Sequence, residues 1–394
     1  MGKRVSSASF ITFSPAKIVF GYGSSGDVAE EVKLLRGSNC LVVTDPGVVA
    51  AGLLSAVEAS LTTGGVSFVR YDKVEPEPRS HIIDEGAALY REKRCDVIIG
   101  IGGGSSLDVA KGISVLAANE GSILDYVGLN MVPHKGAPMI LLPTTAGTGS
   151  EVTRGLVMTN EAQHVKCVVF TPYILPEVAV IDPELTVSMP PIVTADTGMD
   201  SLVHAIEAFV STGATPMSDQ WARKAIGLIG RYLPVACAKG SNREARYQLC
   251  MAALLSGLAF TNAGLGAVHA LAYPLGTEYH MTHGRTNAIM LPHVMKFNLA
   301  GNPSKYRRIA DLFGKDTDGL SDLSGARLSL DAVLDLLAAI NVSCVIGDYR
   351  IPDSDLDLLV SGAMKQQRLF VPNPRDLSED DVRSIYLHGF NPNW

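Results

Sequence analysis

The sequence predicts an α/β domain built on a mostly parallel sheet, followed by an all-helical domain. Three observations carry this. From about Ile18 to Asp182 short apolar runs alternate with helical patterns; beyond that, long segments of helical period contain no convincing strand; and Met189-Pro190-Pro191 separates the two regimes. Strand–helix alternation implies parallel strands with covering helices. Proline removes the backbone donor and drives its predecessor out of helical geometry, so the double proline divides residues 1–189 from residues 190–394.

In chain order, the predicted strands are Lys17-Ile-Val-Phe20, which is short and peripheral, then Cys40–Thr44, Ser67–Arg70, Asp96–Ile101, Met139–Leu142 and Val178–Ile181. Asp96–Ile101 holds a continuous apolar run of the kind buried on both faces. Helical period marks Leu107–Ile113 and, in the second half, Thr194 to Val210, Gln220 to Leu233, Ala245 to Phe260, Leu265 to Leu275 and Leu328 to Ile340.

Composition narrows the class. The 394 residues carry 33 Lys+Arg against 40 Asp+Glu, a formal net charge of -7, with 47% hydrophobic residues. A single small module and a disordered chain are excluded. The cationic clusters Arg243–Arg246 and Arg307-Arg308 are isolated, without the basic stripe that displaces counterions from nucleic acid. Six cysteines with no CxxC read as buried thiols of a reduced compartment. Met1–Phe10 lacks the apolar core of a secretory signal, and no apolar run reaches the length of a membrane span. The expectation is a cytoplasmic protein with neither nucleic-acid nor membrane partners.

Two glycine loops compete for a phosphate. Gly100-Ile-Gly102-Gly103-Gly104-Ser105-Ser106 follows the apolar strand and opens a helix, where backbone N–H groups and the positive helix end approach an anion. Gly21-Tyr-Gly-Ser-Ser-Gly26 matches GxGxxG letter for letter and lies 19 residues ahead of Asp45. The later loop is favoured, because its strand is of the buried parallel type. Asp45 ends its strand where open α/β sheets bind ligands; a carboxylate there accepts from a ribose hydroxyl and repels a 2′-phosphate, which favours NAD over NADP, or it caps the turn at Pro46-Gly47. A third loop, Pro143–Glu151, sets hydroxyls and small residues in a row after another apolar strand.

The helix from Thr194 to Val210 carries an apolar stripe of Met199, Leu202, Val203, Ile206, Phe209 and Val210. Asp200 and His204 flank it four apart, so their side chains meet one turn from each other. Five of the nine histidines (His204, His269, His280, His283, His293) fall within about 90 residues of otherwise apolar sequence. One carboxylate with several imidazoles suits Fe(II) or Zn(II) with an open coordination position. Histidines satisfied by backbone carbonyls are the plainer alternative.

Four ordered motifs bear a resemblance: Gly102–Lys111, Leu142–Thr153, Thr197–Glu207 and His280–His293. Together they resemble the iron-dependent (group III) alcohol dehydrogenases, over nearly the whole chain. The resemblance implies an N-terminal Rossmann-like dinucleotide domain and a C-terminal all-helical metal-binding domain, dehydroquinate synthase-like in fold, with the active site between them. It implies Asp200, His204, His269 and His283 as metal ligands, with Fe(II) ahead of Zn(II). It puts the adenosine ribose on Asp45, and the pyrophosphate on Gly102, Gly103, Gly104 and Ser105 at the start of the helix bearing Asp108. Thr144, Thr145 and Thr148 fall on the nicotinamide side, and Lys166 reaches the cofactor ribose. Where many members carry a second histidine four residues after the third ligand, this chain has Tyr273. A phenol can donate or relay a proton but is a poorer base at neutral pH than imidazole, so the candidates for proton transfer are Tyr273 itself, His280 or water, with packing before Pro274 the plainer role for Tyr273.

The implied reaction is reversible hydride transfer between NAD(H) and a small primary alcohol or hydroxy acid, in a homo-oligomer. A metal-independent reductase of the maleylacetate type would not need the full ligand set, and a dehydroquinate-synthase-like lyase would need a dense set of Lys/Arg that the helical half lacks. Arg154 and Arg285 either hold an anionic group on the substrate or serve as surface or interdomain ion pairs.

Overall fold

The computed structural model describes residues 9–163 and 165–394, so the stretch Met1–Ala8, read above for targeting, lies outside the described residues. Nine strands form: β1 (Lys17–Phe20), β2 (Asn39–Val43), β3 (Ser67–Tyr71), β4 (Val97–Gly102), β5 (Gly128–Leu129), β6 (Met139–Pro143), β7 (Gly155–Asn160), β8 (Val165–Phe170) and β9 (Val178–Ile181). Six make a parallel sheet in the order β1-β9-β6-β4-β2-β3. Every residue of β4, β6 and β9 is buried, which is why those strands are uniformly apolar. β1 is an edge strand beside β9.

Helices α1 (Val28–Leu34), α2 (Pro46–Ala50), α3 (Ser55–Thr63), α4 (Ser80–Glu92) and α5 (Gly104–Ala118) cover this sheet. A smaller sheet, β5-β8-β7, has no counterpart among the predicted strands; in it β7 and β8 form an antiparallel hairpin. Its residues are mostly only half-buried, and its apolar stretches, Leu156–Met158 and Cys167–Phe170, are short and adjoin polar residues.

Among the described residues no strand follows Ile181. Pro190 and Pro191 take the N-cap and first position of α6 (Pro191–Val210), where a missing N–H has no consequence. Then come α7 (Pro216–Ala238), α8 (Arg243–Ala263), α9 (Ala267–Tyr279), α10 (His283–Asn298), α11 (Pro303–Leu312), α12 (Asp322–Ala339), α13 (Leu356–Met364), α14 (Gln367–Phe370) and α15 (Glu379–Phe390). α6 is buried from Gly198 to Val210 without interruption, packed against α7, α8 and α10. A central helix of that kind can carry polar side chains only where they satisfy one another or a ligand. No single described helix is long and apolar enough to cross a membrane, and all six cysteines are free.

Candidate active site

The carboxyl ends of β2, β4 and β6 lie side by side. Chain order moves outward from β2 to β3, then returns to β4 on the other flank, which puts a topological switch point between β2 and β4. Asp45 stands at the end of β2. Its Oδ1 accepts from Val48 N–H at 3.0 Å, capping α2, and its Oδ2 accepts from the Ser106 hydroxyl at 2.8 Å.

Gly102, at φ +154°, ends β4; a Cβ on it would lie 2.5 Å from Ser106 Oγ and 3.1 Å from Asp45 Oδ2. One on Gly104 would meet Thr148 Cγ2 at 2.9 Å. Only bare backbone fits between these side chains, so the first turn of α5 is free to approach an anion. Gly104, Ser105, Asp108 and Thr148 line a cleft of about 620 Å³. Thr144 N–H donates to the Gly102 carbonyl at 2.9 Å, tying the two loops together. Thr145 sits beside Gly103, and its buried hydroxyl has no hydrogen-bond partner.

Asp108 is committed internally: Oδ1 accepts from the Ser150 hydroxyl at 2.6 Å and Oδ2 from Val157 N–H at 2.9 Å. Beside it the fully buried Lys111 donates to Ser150 Oγ (2.8 Å), Thr153 Oγ1 (3.1 Å) and the Gly155 carbonyl (2.8 Å). Burial pushes Lys111 down to about 8, against the pull of Asp108 and Glu151. These two residues clamp α5 to the hydroxyl loop and to β7.

The rival loop is already occupied. Gly23 N–H and Ser25 N–H donate to the two oxygens of Asp182 at 3.0 and 3.1 Å, and Ser25 Oγ donates to Oδ2 at 2.6 Å. An internal carboxylate takes the place a phosphate would need, so Gly21–Gly26 is a structural turn.

Asp200 and His204 of α6, His269 of α9 and His283 at the start of α10 offer one donor atom each, all within 4.8 Å of one another. Asp200 Oδ1 lies 3.7 Å from Nε2 of both His204 and His283. Burial lowers His204 to about 4 and His283 to about 3, outweighing Asp200, so both imidazoles are neutral at pH 7. Burial would raise Asp200, but His204, His283 and His269 together hold it below the ordinary carboxylate range. The His204 ring stacks on Phe260 at 4.3 Å and on His269 at 5.0 Å. Its Nδ1 makes no hydrogen bond of regular geometry, although the Gly147 backbone is close enough to favour its protonated form.

Two residues that spacing does not flag complete the centre. Glu207, one turn beyond His204 on α6, accepts from Val268 N–H through Oε1 at 2.6 Å and holds His269 Nδ1 through Oε2 at 2.6 Å. Asn287, one turn into α10, points Nδ2 at Asp200 Oδ1 (2.7 Å) and at Nε2 of His269 and His283 (both 3.2 Å). The signal available in the sequence is a carboxylate among Ile206, Phe209 and Val210, and an Asn four residues after His283.

Tyr273 stacks on His283 with ring centroids 5.7 Å apart. His280 ends α9 in the left-handed region, φ 53°, exposed and lining the cleft. Lys166, on β8, pairs with Glu77 at 2.8 Å and lies 5.7 Å from the centroid of the Tyr273 ring. Gly104, Ser105, Asp108, Thr148, Lys166, Tyr273, His280 and the four clustered donors therefore line one cleft; Asp45, Gly102, Gly103, Thr144 and Thr145 are not among its lining residues.

A family profile described as iron-containing alcohol dehydrogenase matches residues 15–183, and one described as Fe-containing alcohol dehydrogenase family, C-terminal, matches residues 194–390. The chain belongs to the iron-containing alcohol dehydrogenase family. It is 42% identical to long-chain-alcohol dehydrogenase 1 of Geobacillus thermodenitrificans over 96% of this chain and 97% of that one. It is 37% identical to the NAD-dependent methanol dehydrogenase of Bacillus methanolicus over 95% and 98%. A solved 1,3-propanediol oxidoreductase superposes with a TM-score of 0.95 at 38% identity, covering 97% of this chain and all of that one.

Membership makes this iron-containing alcohol dehydrogenase an oxidoreductase acting on CH–OH groups, with the parallel-sheet and helical halves of its family. The two arginines weighed as holders of a substrate anion or as structural partners have internal partners. Arg285 is bound to Asp196 at 2.7 Å. Arg154 donates to the Thr261 carbonyl at 3.3 Å and lies between the rings of Phe13 and Phe170.

Proposed function

We propose that this chain is a metal-dependent, NAD(H)-linked dehydrogenase that interconverts a small primary alcohol or hydroxy acid and its aldehyde. The observation that carries the reading is the set of four convergent donors in the cleft that the α5 glycine turn also lines. Residues 1–189 hold the dinucleotide and residues 190–394 the metal. Asp45 takes the adenosine ribose, Gly102 to Ser105 the diphosphate, Thr144, Thr145 and Thr148 the nicotinamide side, and Lys166 the second ribose. Asp108 serves the cofactor through the clamp it makes with Ser150 and Val157.

One carboxylate and three imidazoles, two of them held neutral by burial, fit a borderline divalent ion, Fe(II) ahead of Zn(II). When bound, such an ion supplies Lewis-acid polarisation of the substrate oxygen. The chain's own residues do the rest. Glu207 keeps the proton of His269 on Nδ1, which leaves Nε2 as the donor facing the centre. Asn287 holds Asp200 in place through its amide. Phe260, Leu265 and Met281 give the cleft an apolar wall that excludes water from the transfer. Tyr273 and His280 supply the protic groups that exchange a proton with the substrate oxygen. A cytoplasmic homo-oligomer is the setting this reading implies.

The test is elemental analysis of anaerobically purified protein with an NADH-oxidation screen over short aldehydes, before and after chelation. About one Fe or Zn per chain with chelator-sensitive aldehyde reduction is expected, and His269→Ala should cut turnover by orders of magnitude in a folded protein. Metal-free protein with full activity, or a His269→Ala variant with normal metal content and turnover, overturns the reading.

A further inference from the structure

The carboxylates and the permanently charged cations of the cleft sort into partners, with one guanidinium left over. Asp108 faces Lys111 at 3.8 Å, Lys166 is paired with Glu77 at 2.8 Å, and Asp200 lies among the three clustered imidazoles. Arg368 lines the same cleft, is exposed, and among the described residues has neither an ion pair nor a side-chain hydrogen bond. It rides on α14, which packs against α9, the helix bearing His269 and Tyr273. The cleft it lines also holds His269 and Tyr273 of that helix.

A guanidinium on a cleft wall shared with Phe260, Leu265 and Met281 presents a planar fork of donors that matches an oxyanion bidentately. We propose that Arg368 is a specificity-determining residue that receives an anionic group at the far end of the substrate, so that the preferred aldehydes carry a carboxylate, sulfonate or phosphonate. This rests on the dehydrogenase reading above and names its substrate class. Arg154 and Arg285, committed to Thr261 and Asp196, leave Arg368 to do this.

The same chemistry could come from the cofactor's phosphates, and kinetics separate the two sources. The metal-loaded enzyme is assayed with NADH on ω-oxo acids of two to five carbons, each against a neutral aldehyde of matching length. The wild type should favour its best oxo acid in kcat/KM by about tenfold or more. Arg368→Gln should lower that ratio about 10- to 100-fold, mainly through KM for the oxo acid, and Arg368→Lys should keep part of it. Equal or better use of the neutral aldehydes by the wild type overturns the proposal. So does a rise in KM for NADH in Arg368→Gln with the ratio intact, which would assign the guanidinium to the cofactor. Failure to reduce any aldehyde, charged or neutral, defeats the dehydrogenase reading itself; reduction of neutral aldehydes with a ratio indifferent to residue 368 defeats only the assignment of Arg368.

Discussion

Replacing Glu207 by Gln keeps the shape of the side chain and removes one acceptor from a place that needs two. Val268 N–H and His269 Nδ1–H converge on the carboxylate, each at 2.6 Å, and all three groups are buried. A Gln amide presents one carbonyl and one NH₂, so whichever way it turns, one of these donors faces another donor. Gly266 leaves little room for escape, since even a Cβ there would lie 3.1 Å from Glu207 Oε1. An unsatisfied buried donor costs about 1–3 kcal/mol. The imidazole can avoid it by moving its proton to Nε2, which withdraws that nitrogen from the ligand set. Either outcome predicts a loss of metal affinity of about 10- to 100-fold, or about 1.4–2.8 kcal/mol. The assay is competition for Fe(II) or Zn(II) against a chromophoric chelator on anaerobic apo protein, with thermal midpoints of both apo forms alongside. Affinity within about threefold of wild type, with turnover intact, would falsify the role given to Glu207.

Two further outcomes follow from the cofactor side. Asp45→Asn keeps an acceptor for Val48 N–H and so should leave stability within about 1 kcal/mol, yet it removes the charge that repels a 2′-phosphate; the kcat/KM ratio for NADPH over NADH should rise about tenfold, and an unmoved ratio removes Asp45 from cofactor choice. Glu151 is buried with Oε2 unpartnered, and burial raises it from 4.5 to about 7. The folded protein therefore binds a proton that the unfolded chain has already lost, so this group's stabilising contribution is full below pH 4.5 and disappears as pH rises through about 7. Glu151→Gln should flatten that slope by up to about 3 kcal/mol, read from urea midpoints between pH 5 and 8, below the range where Lys111 adds an opposite slope; parallel slopes in the two proteins would count against it.

Legibility in the sequence follows burial. β4, β6 and β9 can be read because a parallel strand with helices on both faces is apolar at every position. The β7–β8 hairpin cannot, because it lines the cleft with most of its residues only half-buried and mixes Thr, Asn and Lys into its strands. Gly21–Gly26 matches a dinucleotide fingerprint, and what decides against it is Asp182, far along the chain, whose carboxylate fills the turn. Arg154 and Arg285 look free in the sequence because their partners, Thr261 and Asp196, are remote along it. A helical i,i+4 pair marks Asp200 and His204, and a local excess of histidine marks the neighbourhood, but only the family resemblance singles out His269 and His283 from His280 and His293, whereas Glu207 and Asn287 act through contacts that only the packing of α6, α9 and α10 creates.

That packing also explains how buried helices tolerate so many polar groups. α6 presents Asp200, His204 and Glu207 to its neighbours, and each would be a liability alone in an apolar core. Glu207 is satisfied by the N-terminal turn of α9, and Asp200 by the amide of α10, so two of the three are neutralised by neighbouring helices. What these contacts leave over is a group of nitrogen and oxygen atoms turned toward one another, with the Asn287 amide among them. Since burial already keeps His204 and His283 in the neutral form that ligates, few protons need leave when an ion arrives. On the proposed reading the helical half is organised in advance for a metal ion, and the glycine turn of α5 lines the same cleft.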